Sequence, residues 1–383
     1  MTLWLRRFNG SAIARITTPA ARAARAALAA GGAFYEPSDL TSLYQDRTGG
    51  ATGASGQPIG IMLDKSYMGG QTAASYISAQ NELATNGGFD ADTGWTKGTS
   101  WTISGGAARA GGTGSSLTQA ITFPGASFAV VTYTVVSIAS GNISAQLQGG
   151  STSTGATRTS AGTYTEVLSV NTNTTLAFVS GGTTPDAVID AVSIKYIPGF
   201  HAVAASDAAR PVLTVTGTLI YVAPDGADDW MVVTPTLNLG ETWWHIGGWR
   251  SPSAGRRAFA LSATGATAAL NGSATPAWSW RNAANTAYTD ATTSTPNANH
   301  VLTIEDGTNI AMRYNAVQQV SPFAPFDDSA AVQGLALFTG NNSTWASGMN
   351  GRFYGGVFAP GALDPTDRAV IESYLATLTQ VTL

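Results

Sequence analysis

The sequence predicts an all-β protein with two β-sandwich domains of the jelly-roll type, a short N-terminal helical or extended anchor and a C-terminal capping helix. Three observations predict it. The 383 residues suit two cores, because domains usually have ~100–200 residues. Only 11% of the residues are charged and 44 are glycine, a composition typical of turn-rich β-proteins. Short alternating apolar runs are separated by Gly and Pro, as in strands joined by turns.

The composition excludes several classes of function. A net charge of −4 provides no basic field for a phosphate backbone, so no nucleic-acid partner is expected. The absence of cysteine excludes disulfides, thiolate metal sites and a cysteine nucleophile. No apolar run reaches the ~18 residues that a membrane span needs, so no membrane insertion is expected. Stability must therefore come from core burial and, we expect, from homo-oligomerisation.

Residues 1–32 form the first predicted segment. They contain arginines among alanines, with no acid before Glu36, and Ala20 to Ala30 is a strong helix former. An anchoring or docking helix is one interpretation. A frayed tail is the other, because an isolated helix this short is marginally stable. The arginines are Arg6, Arg7, Arg15, Arg22 and Arg25.

Residues 86–197 have the alternation expected of one complete sandwich. Its predicted strands are Phe128 to Ile138, Ile143 to Leu147, Tyr164 to Val170, Leu176 to Val179 and Val188 to Tyr196.

The chain ends with a helix signal. Asp364 suits the N-cap and Pro365 the first helical position. An apolar stripe follows at helical spacing, formed by Ile371, Tyr374, Leu375 and Leu378.

Three segments together resemble the concanavalin A-like, laminin-G-like lectin module of virion surface proteins in tailed phages and gene transfer agents. They are YEPSDLTSLYQDRTGG with GQPIGIMLDKS, ARPVL with IYVAPDGADDWMVVT, and GRFYGGVFAPGALDPTDRAVIESYL. In that pattern an HA and RPVL segment follows the opening almost directly, whereas here His201 and Arg210 arrive far later. The resemblance therefore implies an interrupted module, with residues 33–85 as its N-terminal part and 198–383 as the remainder.

The interrupting residues 86–197 resemble a jelly-roll carbohydrate-binding module. NGGFDADTGWTKGTSWTISGGAA is similar to the first strands of that family, and AGTYTEVLSVNTNTTLAFVSGG with DAVIDAVSIKYI is similar to the last. An insertion is physically reasonable because the termini of sandwich domains often lie close together at the surface.

Sugar sites pair an aromatic ring with polar side chains. Trp95 is interpreted equally as core or as a ligand platform, whereas Trp101 is predicted to be core. Trp243 and Trp244 must face opposite sides of a strand, so one of them is expected to be exposed. Trp345 lies in a polar loop rich in asparagine and is the preferred sugar contact. The predicted glycan contacts are Trp345, Asn341, Asn342, Asn350, Trp244 and Trp95.

Asp225, Asp228 and Asp229 permit two interpretations. Carboxylates at short spacing suit a calcium ion. The favoured alternative is a turn whose Asp side chains accept hydrogen bonds from nearby backbone, which is what the family resemblance implies for DGxDD. No metal site and no cofactor are predicted.

No enzymatic activity and no catalytic residue are predicted. Glucanases of the concanavalin-like fold carry an E-x-D-x-E strand, which this chain lacks. Its other acids are scattered, and no G-x-S-x-G motif accompanies its histidines. The residues considered were Glu241, Glu305, Asp306, Asp327, Asp328, His201, His245 and His300.

Three functions follow from the resemblances. The first is a virion structural protein, such as a head spike or tail fibre, that binds host-cell surface polysaccharide during adsorption. Residues 1–32 would attach it to other virion proteins, and many copies on the particle surface would supply avidity. The second is a purely structural decoration or connector protein. The third, remote, is a polysaccharide depolymerase.

Overall fold

The computed structural model confirms the predicted fold class, with 49% of residues in strands, 13% in helices and two large antiparallel sheets. It describes residues 18–112, 116–240, 242–250, 257–263, 266–272, 278–281, 287–289, 298–306, 310–318, 334–338 and 349–383. Between 262 and 289 only the strand positions are described.

Three α-helices and twenty-six strands are described. The helices are α1 (Pro19–Ala30), α2 (Ala73–Ser78) and α3 (Pro365–Thr379). The strands are β1 (Ala33–Tyr35), β2 (Leu43–Asp46), β3 (Gly49–Thr52), β4 (Ile61–Met62), β5 (Thr96–Lys97), β6 (Trp101–Ser104), β7 (Ala107–Ala110), β8 (Ser116–Ala120), β9 (Phe128–Gln148), β10 (Ser153–Thr154), β11 (Gly162–Ser169), β12 (Thr175–Ile197), β13 (His201–Ala204), β14 (Val212–Thr216), β15 (Leu219–Ala223), β16 (Met231–Thr234), β17 (Trp243–Arg250), β18 (Arg257–Ala263), β19 (Ala266–Gly272), β20 (Trp278–Arg281), β21 (Ala287–Thr289), β22 (Asn299–Asp306), β23 (Ala311–Tyr314), β24 (Val317–Gln318), β25 (Leu335–Leu337) and β26 (Arg352–Pro360).

One sheet has the order β14-β15-β26-β17-β22-β23-β24, and β1 pairs with β26 on the side that β15 also uses. It faces strands that run through β2, β4, β13, β16, β25 and β18. The core between them takes Trp243 and Phe358 from one layer and Met231 and Phe259 from the other. Side chains that alternate along each strand fill this core, as expected for packed sheets.

A second core lies within residues 89–194 and contains Phe89, Trp95, Trp101, Tyr133 and Phe178. Trp101 is therefore a core residue, as predicted. The backbone of this region is organised by β9 and β12, which pair along most of their lengths.

The long strands β9 and β12 differ from the shorter strands predicted for this region. Each long strand continues through a local irregularity where the sequence predicts a break. In β9, Gly141 has φ of 76°, and in β12 the pairing shifts between Gly181 and Asp186. Pro185 falls within that shift, where a missing N–H costs no ladder hydrogen bond. Four predicted strands thus become two; they are Phe128 to Ile138 with Ile143 to Leu147, and Leu176 to Val179 with Val188 to Tyr196.

Residues near the N-terminus pair with strands from the C-terminal half. Met62 lies opposite Ala202, and Ala33 lies opposite Phe358. Asp64 is fully buried and accepts hydrogen bonds from the backbone N–H groups of Phe34 and Phe200 at 2.9 Å each. These contacts join sequence segments on either side of residues 86–197. The division into 33–85, 86–197 and 198–383 stays a prediction.

A separate apolar cluster lies between residues 44–73 and residues 128–197. Tyr44, Leu63 and Met68 contribute from the first segment, and Phe128 and Val167 from the second. Gly49 pairs with Glu166 at this contact, with φ of 99°, and a Cβ at Gly49 would lie 2.5 Å from the Val167 nitrogen. Only glycine fits there.

Helices α1 and α3 cover the outer face of the first sheet. Asp364 caps α3 by accepting from Thr366 N at 2.7 Å, and Ile371 and Leu375 are buried, as predicted. Helix α1 buries Ala23, Ala24 and Ala27 in the apolar cluster that also contains Ile371 and Leu375. This face of small side chains permits close helix packing.

The frayed-tail interpretation is wrong for the described part of residues 1–32, because helix α1 packs on its own chain. The prediction that this segment anchors the protein or docks on another stays a prediction. Arg22 lies 3.2 Å from Asp367 of α3. Residues 1–17 lie outside the described residues. None of the helices in the described ranges is long and apolar enough to span a membrane.

Candidate ligand-binding edge

Trp244 was predicted to contact sugar, and its position contradicts this. Trp243 and Trp244 do face opposite sides of β17, since Trp243 belongs to the inner core and Trp244 to the cluster beneath α1 and α3. Both are 2% exposed. The expectation that one would be exposed is wrong because the helices cover the outer face.

Trp95 is also unavailable as a platform. Its ring packs against Phe89 and Phe178 at centroid distances of 5.4 and 6.2 Å, and its Nε1 donates to the Asn86 carbonyl at 3.1 Å. The indole is 7% exposed. Its hydrophobic area and its one polar group are both satisfied inside the protein.

Of the four predicted contacts around the polar loop, the structure describes only Asn350. Trp345, Asn341 and Asn342 lie outside the described residues and stay predictions. Asn350 is exposed. It follows Met349, which is fully buried and donates its backbone N–H to Phe338 at 2.9 Å. The residue that precedes Asn350 is therefore anchored in the core.

Asn350 meets the aspartate turn at this edge. A Cβ placed on Gly226 would lie 2.8 Å from the Asn350 Cβ. Gly226 has φ of 82°, which favours glycine. Two segments more than a hundred residues apart in sequence thus form one surface.

The aspartate turn brings Asp225, Asp228 and Asp229 together, with one carboxylate oxygen from each within 4.8 Å of the others. Asp225 N donates to Asp229 Oδ2 at 2.8 Å, and Ala227 N donates to Asp225 Oδ1 at 2.7 Å. These are the hydrogen bonds that the turn interpretation predicts. Burial, and then the charges of Asp225 and Asp228, raise the pKa of Asp229 to about 6. The carboxylates have the chemistry to hold a hard cation, and whether they do stays untested.

Arginines and tyrosines line the outer face of the sheet next to this edge. Arg250 and Arg352 are directly opposite each other on β17 and β26, and both are half-buried. The Arg352 guanidinium carbon lies 4.3 Å from the centre of the Tyr221 ring. We call Arg250, Arg352, Tyr221 and Tyr354 the arginine–tyrosine row.

Tyr354 is the hydrogen-bonded centre of this row. Its hydroxyl donates to Asn299 Oδ1 at 2.8 Å, and its ring centroid lies 5.4 Å from that of Tyr221. Burial raises the pKa of Tyr354, while the hydrogen bond from Arg352 and the charges of Arg352 and Arg250 oppose the rise. The hydroxyl is therefore protonated at neutral pH.

No residue of this row was among the predicted sugar contacts. The strand alternation in ETWWHIGGWR places Arg250 on the same face as Trp244, which is a usable signal. It does not reveal Arg352 as the cross-strand neighbour, because that pairing joins positions about a hundred residues apart.

The buried histidines have structural roles. His201 Nδ1 accepts from Asp64 N at 3.0 Å, so the proton is on Nε2. Nε2 lies 3.2 Å from the Ser127 hydroxyl and 3.3 Å from the Ile197 carbonyl. A protonated Nε2 cannot remove a proton from Ser127, and burial lowers the His201 pKa to about 4. This pair lacks the tautomer that a serine nucleophile needs.

His245 is a core residue. Its ring stacks on Phe358 at 4.0 Å, and its Nε2 accepts from Trp249 Nε1 at 2.9 Å. His300 is buried as well. Among the acids considered, Glu305 pairs with Arg368 at 2.6 Å, whereas Glu241, Asp327 and Asp328 lie outside the described residues. The absence of enzymatic activity stays a prediction.

No protein-family model matches this chain, and no curated protein matches it. Among solved structures, a Trypanosoma rangeli sialidase matches with TM-score 0.34 and 7% identity, covering 48% of this chain and 30% of that one. A tail fibre protein of an E. coli phage matches with TM-score 0.24 and 10% identity, covering 67% and 36%. The tandem CBM22 domain of a Paenibacillus barcinonensis protein matches with TM-score 0.30 and 10% identity, covering 73% and 98%.

This chain therefore spans about a third of the length of the sialidase and of the tail fibre protein. At these TM-scores none of the likenesses bears on what it binds. The class that its own fold defines is a mostly β protein with two large antiparallel sheets.

Proposed function

We propose that this protein binds polysaccharide without catalysing a reaction on it, as a surface component of a phage or phage-like particle. The observation that carries the proposal is the exposed edge where Asn350 meets the turn of Asp225 and Asp228. Amide and carboxylate oxygens beside a residue anchored in the core suit hydrogen bonds to sugar hydroxyl groups. The virion assignment is supported by the sequence resemblance alone.

Glycan binding is tested with the full chain displayed as multiple copies, because single sugar sites bind weakly. Biotinylated protein on streptavidin is applied to a panel of immobilised bacterial surface polysaccharides. Saturable binding is expected, with no release of reducing ends. Absence of binding to every polysaccharide overturns the proposal, and release of reducing ends overturns its non-enzymatic part.

Asn350→Ala locates the binding surface. Loss of one amide that hydrogen-bonds the ligand is expected to lower the affinity about fivefold, corresponding to about 1 kcal/mol. Gln71→Ala is the matched control, since Gln71 is an exposed amide elsewhere on the surface. Equal effects of the two changes would contradict this location.

A purely structural role is the second candidate function. The burial of Trp95 and Trp244 supports it, because two of the predicted sugar platforms are core residues. Under this alternative the multivalent protein binds no polysaccharide.

A further inference from the structure

We propose that Arg250 and Arg352 bind the carboxylate of an acidic sugar, so that the preferred ligand is a polysaccharide containing sugar acids. This inference rests on the proposed function and adds the chemical class of the ligand. It concerns the arginine–tyrosine row and uses none of the residues that the sequence predicted as sugar contacts.

The row places the two positive charges of Arg250 and Arg352 next to each other. Arg250 and Arg352 are cross-strand neighbours, and like charges directly opposite each other destabilise a sheet. In the described part of the chain no carboxylate lies within ion-pair distance of either. Six other described arginines have an acidic partner, whereas Arg25 and Arg47 have none among the described residues; the six are Arg22, Arg109, Arg158, Arg210, Arg313 and Arg368.

The end of helix α3 lies near the row, but two of its last carbonyl groups have hydrogen-bond partners other than the arginines. Cations are favourable at a helix C-terminus, and Thr379 at the end of α3 lies against Gly248. However, the Thr379 carbonyl accepts from Asn299 Nδ2 at 2.8 Å, and the Ala376 carbonyl accepts from Val381 N at 3.1 Å. Other groups therefore satisfy these carbonyls.

Neighbouring side chains hold Arg352 and Tyr354 in place before any ligand binds. The Tyr221 ring packs against the Arg352 guanidinium, and the Tyr354 hydroxyl donates a hydrogen bond to Asn299. A guanidinium group held in this way, as that of Arg352 is, loses little freedom when it binds a planar carboxylate. Half-buried positions also strengthen the attraction compared with fully exposed charges.

The aspartate turn modulates this site. Asp225, Asp228 and Asp229 lie at the same end of the sheet as Arg352, near Asn350. Their negative charge opposes the binding of an anion, so removing one charge should raise the affinity for acidic sugars. We expect Asp228→Asn to raise it about twofold at low salt, and we expect salt to screen the effect.

The experiment measures binding of the full chain to three acidic polymers: polygalacturonate, polymannuronate and polysialic acid. Carboxyl-reduced polygalacturonate is the neutral probe, and dextran sulfate is the non-carboxylate anion. Wild-type protein is expected to bind at least one acidic polymer more tightly than the neutral and sulfated probes. Equal or tighter binding of dextran sulfate would overturn the carboxylate assignment.

The matched variants remove two positive charges at different places. Arg250→Gln with Arg352→Gln is expected to lower affinity for the acidic polymer at least tenfold, on the strength of hydrogen bonds to charged groups, and to leave neutral binding unchanged. Lys97→Gln with Arg109→Gln removes two partly exposed charges elsewhere and should have little effect. Arg250→Lys with Arg352→Lys should retain part of the affinity.

The outcomes separate the two proposals. If wild-type protein binds a neutral polysaccharide but none of the acidic polymers, this inference fails and the proposed function stands. If it binds neither kind, both fail. Equal losses in the two double variants would attribute acidic binding to overall charge and would also overturn the inference. Circular dichroism and thermal unfolding establish that each variant is folded.

Discussion

Two clusters in this molecule each combine an arginine with two tyrosine rings, and they differ in the charged residue that accompanies that arginine. In residues 133–166, Arg158 lies 4.3 Å above the Tyr164 ring, and Tyr133 lies 5.9 Å from Tyr164. In the arginine–tyrosine row, Arg352 lies at the same 4.3 Å from Tyr221, and Tyr354 lies 5.4 Å away. The first cluster contains Glu166.

Glu166 completes the first cluster as a structural unit. It is fully buried and accepts from Arg158 Nε and Nη2 at 3.0 and 2.7 Å. It also accepts from Ala156 N at 3.3 Å. Among the described residues, the arginine–tyrosine row has a second arginine where the first cluster has an acid, and we therefore assign the balancing anion to a ligand. The comparison teaches that charge balance separates a structural cluster from a candidate site.

Glu166→Gln is expected to have the largest effect. Breaking a buried ion pair leaves its partner uncompensated, so the free energy of unfolding should fall by about 3 kcal/mol, measured by urea denaturation. Asp92→Asn is the control, since its pair with Lys97 is largely exposed, and should change stability by no more than ~1 kcal/mol. If the two variants are equally stable, the first cluster is not a structural unit.

Arg158→Gln tests the same pair through pH. Burial raises the pKa of Glu166, and the hydrogen bonds and charge of Arg158 oppose that rise. Without Arg158 the folded-state pKa should rise further above the unfolded value. An acid of this kind favours the folded state at low pH, and that contribution is lost as pH rises through the folded-state pKa. The variant should therefore lose more stability relative to wild type at pH 7 than at pH 4. Thermal unfolding of both proteins at pH 4 and pH 7 measures this difference. Equal losses of stability at the two pH values would contradict the proposal that Arg158 lowers the pKa of Glu166.

Asp229→Asn examines the carboxylates beside the arginine–tyrosine row. Because the folded-state pKa of Asp229 is about 6 against an ordinary value of 3.8, its contribution to stability falls as pH rises from about 4 to about 6. The variant should show a smaller fall over that window. Some dependence should persist, because burial also raises the pKa of Asp64 to about 6. An unchanged pH profile of the unfolding temperature would show that the turn does not titrate in this way.

Arg352→Gln should have the smallest effect on stability, about 1 kcal/mol or less, because it breaks no ion pair in the described residues. It removes the contact with the Tyr221 ring and the hydrogen bond to Tyr354, and it relieves repulsion from Arg250. Urea denaturation measures this effect. A loss as large as that of Glu166→Gln would mean that the row is structural, and the comparison between the two clusters would fail.

Local patterns predicted much of the fold. The cap at Asp364, Pro365 and the stripe through Ile371 and Leu375 predicted α3, because helix signals act within a few residues. Period-two alternation likewise placed Trp243 and Trp244 on opposite faces. The strand breaks near Gly141 and Pro185 were wrong, since bulges let the ladder continue through residues that usually end strands.

The sequence by itself determined the all-β class, the capped C-terminal helix and the two-sided pattern of β17. Only the tertiary structure decided that both Trp243 and Trp244 are buried, because α1 and α3 from distant parts of the sequence cover Trp244. It also decided that Arg250 and Arg352 are neighbours. Alternation is a local property of one strand, whereas exposure and charge balance depend on what distant segments place alongside it.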